Sequence, residues 1–138
     1  MEVNVKWVDR VSFIAETGSG HSVVMDGAPA AGGRNLAARP MEMVLAGLGG
    51  CSSFDVVEIL KKASQQISSV EIALTAERAD SEPAVFTRIN GHFIVRGHRL
   101  DKSIVKRAVK ASAEKHSSVS KMLEKTAEIN YSVEVIEE

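Results

Sequence analysis

The sequence predicts an α+β fold, with strands and helices in the order βββ-α-ββ-α-α-β, antiparallel sheets and one buried central helix. Three observations lead there: alternation of apolar and polar residues at period two at both ends and in the middle of the chain, a long segment apolar on all sides, and two later segments with helical periodicity. At 138 residues, 44% hydrophobic and 25% charged, the chain is long enough for a single domain with its own core, and its composition is not that of disorder.

In "VNVKWV", Val3, Val5 and Trp7 fall on one face, and Val11, Phe13 and Ala15 repeat the pattern after Asp9-Arg10, so a hairpin is predicted. "HSVVMDG" adds a short third strand after the turn "TGSG". Residues 27–39, "GAPAAGGRNLAAR", have no periodicity and little to bury, which predicts an exposed, mobile loop of the length that often carries function. Pro40 suits the first turn of a helix, where its missing N–H is not needed.

From Met41 to Cys51 only Glu42 is neither apolar nor glycine, so this helical half has no face that belongs in water. Gly47, Gly49 and Gly50 each cost about 1 kcal/mol relative to alanine in a helix interior. Their small size must be useful instead: Ala46 with Gly50, and Gly47 with Cys51, make four-residue steps against which a second helix can pack. Beyond Cys51 the helix becomes amphipathic, with Val56, Val57 and Leu60 set against Asp55, Glu58, Lys61 and Lys62.

Two alternating strands follow. "SVEIALTAERAD" turns Val70, Ile72, Leu74 and Ala76 inward, and "FTRINGHFIVRG" does so with Ile89, Phe93 and Val95. Asp101 can cap the helix "KSIVKRAVKASAEKH", whose buried stripe is Ile104, Val105, Ala108, Val109 and Ser112. A shorter helix, "VSKMLEK", and a final strand, "INYSVEVIEE", complete the order.

Composition narrows the function classes. A net charge of −1 supplies no surplus of Lys and Arg to neutralise phosphates, which argues against a nucleic-acid partner. The start "MEVNVKWVDR" lacks the basic and apolar regions of a secretory signal, and no uninterrupted apolar run reaches the roughly 20 residues of a membrane span, so a soluble cytoplasmic protein is expected. One cysteine excludes an internal disulfide and a cysteine-rich zinc site. His21, His92, His98 and His116 show no metal-binding spacing, and "GSG" at 18–20 leads into a strand rather than a helix, so neither metal nor nucleotide is expected.

Three residues are candidates for chemistry. Cys51 is either a small buried hydrophobe or a nucleophile, and the glycines before it, which bare the backbone around the sulfur, favour the second. Glu42 is the one charge in the apolar half. It serves either the positive end of the helix or a cation brought to it. Nine positions separate Glu42 from Cys51, about 13–14 Å along a helix and on opposite faces. Joint action therefore requires Glu42 of one subunit to approach Cys51 of another. Ser117 continues the count by fours from Val109 through Ala113, a position where packing or helix termination is the ordinary explanation; no GxSxG surrounds it.

"RPMEMVLAGLGGCSSFDVVEIL" together with "SAEKHSSVSKMLEK" resembles the OsmC/Ohr family of osmotically induced and organic-hydroperoxide-resistance proteins, especially its YhfA-like branch. The motif is Pro40, Glu42, Gly49, Gly50 and Cys51. The resemblance implies an intertwined homodimer, sheets wrapped around the central helices, and peroxiredoxin-like active sites at the subunit interface. In active members a first cysteine, matched by Cys51, is oxidised by a hydroperoxide to a sulfenic acid, and a second condenses with it to a disulfide. Ser117 holds the second position here, and a hydroxyl cannot form that bond. The resemblance thus implies at most a one-cysteine cycle without cofactor, returned to the thiol by an external thiol, with Ser117 left to hydrogen-bond Cys51. The alternative is a non-enzymatic dimer that binds a small apolar ligand. Arg34 and Arg39 are the candidates for the family's activating arginine. An acyl-transfer role for Cys51 ranks last and needs His21 or His116 nearby.

Overall fold

The computed structural model describes residues 1–138, and the α+β expectation is met in the expected element order. The chain forms two compact units, Met1–Ala46 and Gly47–Glu138.

The first unit is an antiparallel meander of β1 (Val3–Asp9), β2 (Ser12–Thr17) and β3 (Ser22–Met25), in the order β1-β2-β3. Its register pairs Val5 with Ala15, Trp7 with Phe13, Ala15 with Val23 and Phe13 with Met25. Directly paired residues share a face, so Val3, Val5, Trp7, Phe13, Ala15, Val23 and Met25 lie on one side, and Ile14 and Val24 on the other. On that face the β1 residues Val3, Val5 and Trp7 are 57%, 54% and 68% exposed, and Ala15 of β2 is buried.

Residues 27–39 link β3 to the helix that starts at Pro40. Pro29–Ala31 form a 3-10 turn closed by Gly32 at φ 91°. Gly33 lies against Gly27 so closely that a side chain there would collide with the Gly27 carbonyl. Asp26, almost wholly buried, organises the segment: Oδ1 accepts the Gly27 N–H at 2.7 Å, and Oδ2 accepts those of Arg34 and Leu36 at 3.2 Å each. Burial alone would raise the Asp26 pKa, but hydrogen bonds from Leu36, Gly27, Ser12 and Arg34 outweigh it and hold the carboxyl below the ordinary aspartate value. A depressed folded value means that the carboxylate contributes its full stabilisation above pH 3.8 and loses it as acidification passes the folded pKa. Asp26→Asn is therefore expected to lower the melting temperature at neutral pH and to flatten the acid limb of stability against pH. Amide hydrogen exchange at Arg34 and Leu36 should accelerate in the same variant.

The second unit carries most of helix α1 (Pro40–Lys62), followed by β4 (Gln66–Arg78), β5 (Phe86–His98), α2 (Lys102–Ala111), α3 (Ser118–Leu123) and β6 (Glu128–Glu137). The sheet order is β4-β5-β6. β4 and β5 pair antiparallel as predicted, but β5 and β6 pair parallel. The helical crossover between them returns the chain to the end where β5 began, the connection that parallel strands require. Ile72, Phe93 and Val133 stand side by side on one face, as do Val70, Val95 and Val135. Against that face pack Val56 and Leu60 of α1 and Val105, Ala108 and Val109 of α2. Asp101 caps α2 by accepting the N–H groups of Ser103 and Ile104; with the Ser103 hydroxyl foremost, these bonds lower its pKa.

α1 departs from expectation in two ways. It is 23 residues long and contains an 18-residue stretch with a mean hydropathy of 1.5, enough by length and composition to cross a membrane. A count of uninterrupted apolar residues misses this because Asp55 breaks the run without lowering the average much. It is also buried on one side only. Leu48, Gly49, Ser52, Val56 and Leu60 face inward, whereas Val44, Gly47, Gly50 and Phe54 are exposed, Phe54 by 68%.

Candidate functional site

Cys51 sits in the middle of α1 as a free, half-buried thiol. A side chain added at Gly47 or Gly50 would meet nothing within 4 Å, so the helix surface beside the sulfur is open in a single chain. Gly49 faces the other way, where an added Cβ would come within 2.8 Å of Leu74. Of the three glycines, one lets α1 approach the sheet and two bare its free side.

The next residue, Ser52, is buried at the centre of a hydroxyl cluster that the sequence alone does not reveal. Its Oγ lies 3.3 Å from Ser117 Oγ and 3.1 Å from the Tyr131 hydroxyl. Tyr131 in turn reaches Ser120 Oγ at 3.5 Å. Ser112 Oγ lies 3.2 Å from the Ser52 carbonyl oxygen and 3.3 Å from Asp55 Oδ2, and donates to these acceptors. No buried side-chain N or O is left without a partner, so the cluster can tie α1, the α2–α3 junction and β6 together at no desolvation penalty. One signal was available: Ser112 stands on the apolar stripe of α2, and a buried hydroxyl needs a partner.

Ser117 owes its position to a change of helix type. After α2 the chain makes a π turn over Ser112–His116, closed by a 2.8 Å bond from the Ser117 N–H to the Ser112 carbonyl. Such wider turns end helices and recur at functional sites. Ser117 then adopts extended backbone angles and caps α3, its Oγ accepting the Ser120 N–H at 3.2 Å. It is buried, as the count by fours requires, but its hydroxyl faces Ser52 and makes no hydrogen bond to Cys51. This corrects the expected Ser117–Cys51 contact. Neither His nor Lys lies within hydrogen-bond reach of the Ser117 hydroxyl, so nothing activates it as a nucleophile.

Glu42 lies in the exposed first turn of α1, where its Oε1 accepts the Arg39 N–H at 2.8 Å. This is the carboxylate half of a capping box, the ordinary reading of a first-turn glutamate. Glu42 and Cys51 occupy one continuous helix, nine positions apart. The two arginine candidates are engaged locally. Arg34 Nη1 pairs with Asp9 at 2.9 Å, and Arg39 Nη1 donates to Asn35 Oδ1 at 2.8 Å and to the Ala37 carbonyl at 3.1 Å. His21 is held by Ser19, and His116 lines a shallow depression with Phe54 and Glu58 without bonding Cys51. No His, Cys, Asp and Glu side chains converge as a metal site.

The OsmC-like protein family model matches residues 32–132. Protein YhfA of Escherichia coli (strain K12) is 48% identical over 136 residues, covering 99% of this chain and 98% of that protein. The chain belongs to the OsmC-like protein family. Among solved structures, a hypothetical protein from Aquifex aeolicus VF5 is 28% identical with a TM-score of 0.87, covering 99% of this chain and 96% of that one. The organic hydroperoxide resistance protein OhrB of Bacillus subtilis shares the fold at 20% identity and a TM-score of 0.64, with 96% of each chain covered. In this OsmC-like protein, Cys51 is the one thiol, and Ser117 is built into the fold as a helix cap.

Proposed function

We propose that this OsmC-like protein is a cytoplasmic homodimeric thiol peroxidase that reduces organic hydroperoxides at Cys51 in a one-cysteine cycle, without cofactor. The observation that carries the reading is an accessible lone thiol on the uncovered side of α1. The Cys51 thiolate attacks the outer oxygen of the hydroperoxide, the O–O bond breaks, the alcohol leaves with a proton, and Cys51 becomes a sulfenic acid. One external thiol then forms a mixed disulfide with release of water, and a second frees Cys51 and departs as the oxidised disulfide.

Dimerisation is supported by the surfaces a single chain leaves bare: the Val3, Val5 and Trp7 face of the first sheet, and Val44, Gly47, Gly50 and Phe54 along α1. A second α1 laid against the small residues would bring Glu42 of one subunit toward Cys51 of the other, where its carboxylate would hold a cation beside the thiol. Brief exposure to a limiting organic hydroperoxide, followed by intact-mass and peptide mass spectrometry, tests the chemistry. Cys51 is expected to gain one oxygen faster than free cysteine does. A thiol no more reactive than free cysteine would leave the second reading, a non-enzymatic ligand-binding dimer. That reading is favoured by a separate cleft of about 550 Å³ between α2, α3 and β6, whose walls include Lys106, Lys110, Val109 and Tyr131.

A further inference from the structure

The parallel pairing of β5 and β6 has a second consequence, on the face of the sheet turned away from the core. It sets His92 directly opposite Ser132 and Ile94 opposite Glu134. His92 Nδ1 lies 2.7 Å from Ser132 Oγ, and His92 Nε2 lies 3.7 Å from Glu134 Oε2. The imidazole therefore has a hydroxyl on one nitrogen and a carboxylate on the other. With the Nε2 proton directed at Glu134, the Nδ1 lone pair accepts the Ser132 hydroxyl proton, the arrangement that makes a serine nucleophilic. The carboxylate is at ion-pair distance, and such contacts tighten when substrate is bound.

The surroundings admit a substrate. On β4 the residue opposite His92 is Ala73, too small to cover the ring. Ser132, His92 and Ala73 line a depression of about 390 Å³ together with Asn90 and Asn130. Asn90 and Asn130 are themselves cross-strand partners, each two residues before the reacting pair and on the same face. The Asn90 carboxamide makes no side-chain hydrogen bond within the chain, and Asn130 Nδ2 holds only a long one, 3.4 Å to Glu128. These amides are the available donors for a developing oxyanion. The depression is shallow and the side chains half-exposed, which suits small acyl groups.

We propose that this outer face is a second, hydrolytic site for short-chain esters, with Ser132 as nucleophile, His92 as general base and Glu134 orienting the imidazole. Ser132 Oγ bonds to the carbonyl carbon as its proton passes to His92. The ester C–O bond then breaks, His92 returns the proton to the leaving alcohol, and an acyl-Ser132 remains. Water, deprotonated by His92, releases the acid and restores the serine. The site is independent of the proposed peroxidase chemistry at Cys51 and is assayed without it.

The experiment is p-nitrophenyl acetate hydrolysis by full-length Cys51→Ala protein, which removes the competing thiol, compared with Cys51→Ala/Ser132→Ala. Ser132→Ala removes the nucleophile and with it the general-base activation, worth about 100-fold or more, so the protein-dependent rate should fall by about 100-fold. Peptide mass spectrometry of Cys51→Ala protein should find the acetyl group on Ser132. Position 132 is exposed, and circular dichroism establishes that both proteins are folded. Equal hydrolysis by the two proteins, or acetylation confined to lysines, overturns the proposal.

Discussion

Replacing Phe93 by alanine is expected to lower the stability of the fold by about 3–5 kcal/mol, the range for deleting a fully buried phenylalanine. Phe93 is 1% exposed and lies on the middle strand, between Ile72 and Val133. Its ring packs on Tyr131 with centroids 5.9 Å apart, and it belongs to the same cluster as Val56, Leu60, Val105 and Val109. Two helices and two flanking strands would therefore border the cavity, and strands tied by ladder hydrogen bonds cannot close it by sliding. In thermal unfolding the loss should amount to about 10–20 °C at this chain length. Denaturant titration at one fixed protein concentration should show a lower midpoint with an unchanged slope. A loss below about 1 kcal/mol would mean that the α1–sheet–α2 cluster is not the centre of the core.

The position of Phe93 was legible in the sequence because burial on one face of a strand leaves a period-two trace that local reading can follow. The same holds for Ile89 and Val95, and for the stripe of α2 down to Ser112. What pairs with what across the sheet leaves no such trace. The direction of β6 relative to β5 depends on where the α2–α3 crossover delivers the chain, a tertiary property, and it is this direction that sets His92 beside Ser132. α1 shows a different limit. Its lack of a polar face predicts burial all round, but the local pattern cannot say whether the chain itself supplies the cover; Val44 and Phe54 are left exposed within one chain. The hydroxyl cluster was missed because serine serves equally in turns, caps and packed interiors. Only the junction of the π turn with α1 and β6 brings Ser52, Ser112, Ser117, Ser120 and Tyr131 together.

Ser117→Cys is expected to convert the proposed one-cysteine cycle into an internal two-cysteine cycle. Ser117 Oγ lies 3.3 Å from Ser52 Oγ, and Ser52 adjoins Cys51 on α1, one Cα step of about 3.8 Å away. For a thiol at position 117 to bond Cys51, the two side chains must turn toward each other and their Cα atoms must come within the span a disulfide tolerates, about 4.4–6.8 Å. The substitution removes the cap on α3, which costs about 1 kcal/mol. Once Cys51 is a sulfenic acid, the new thiol condenses with it, forming the S–S bond and releasing water. It does so at an effective concentration in the millimolar range or above, where the proposed one-cysteine cycle would wait for a thiol from solution. One equivalent of organic hydroperoxide should therefore leave Ser117→Cys protein with an internal disulfide, seen as the loss of two hydrogens in the intact mass, and turnover supported by a small dithiol should rise. Oxidation of Cys51 alone, on to sulfinic acid while the introduced thiol keeps its proton, would mean instead that position 117 addresses only Ser52, and that the hydroxyl cluster shields the sulfur from that side of the helix.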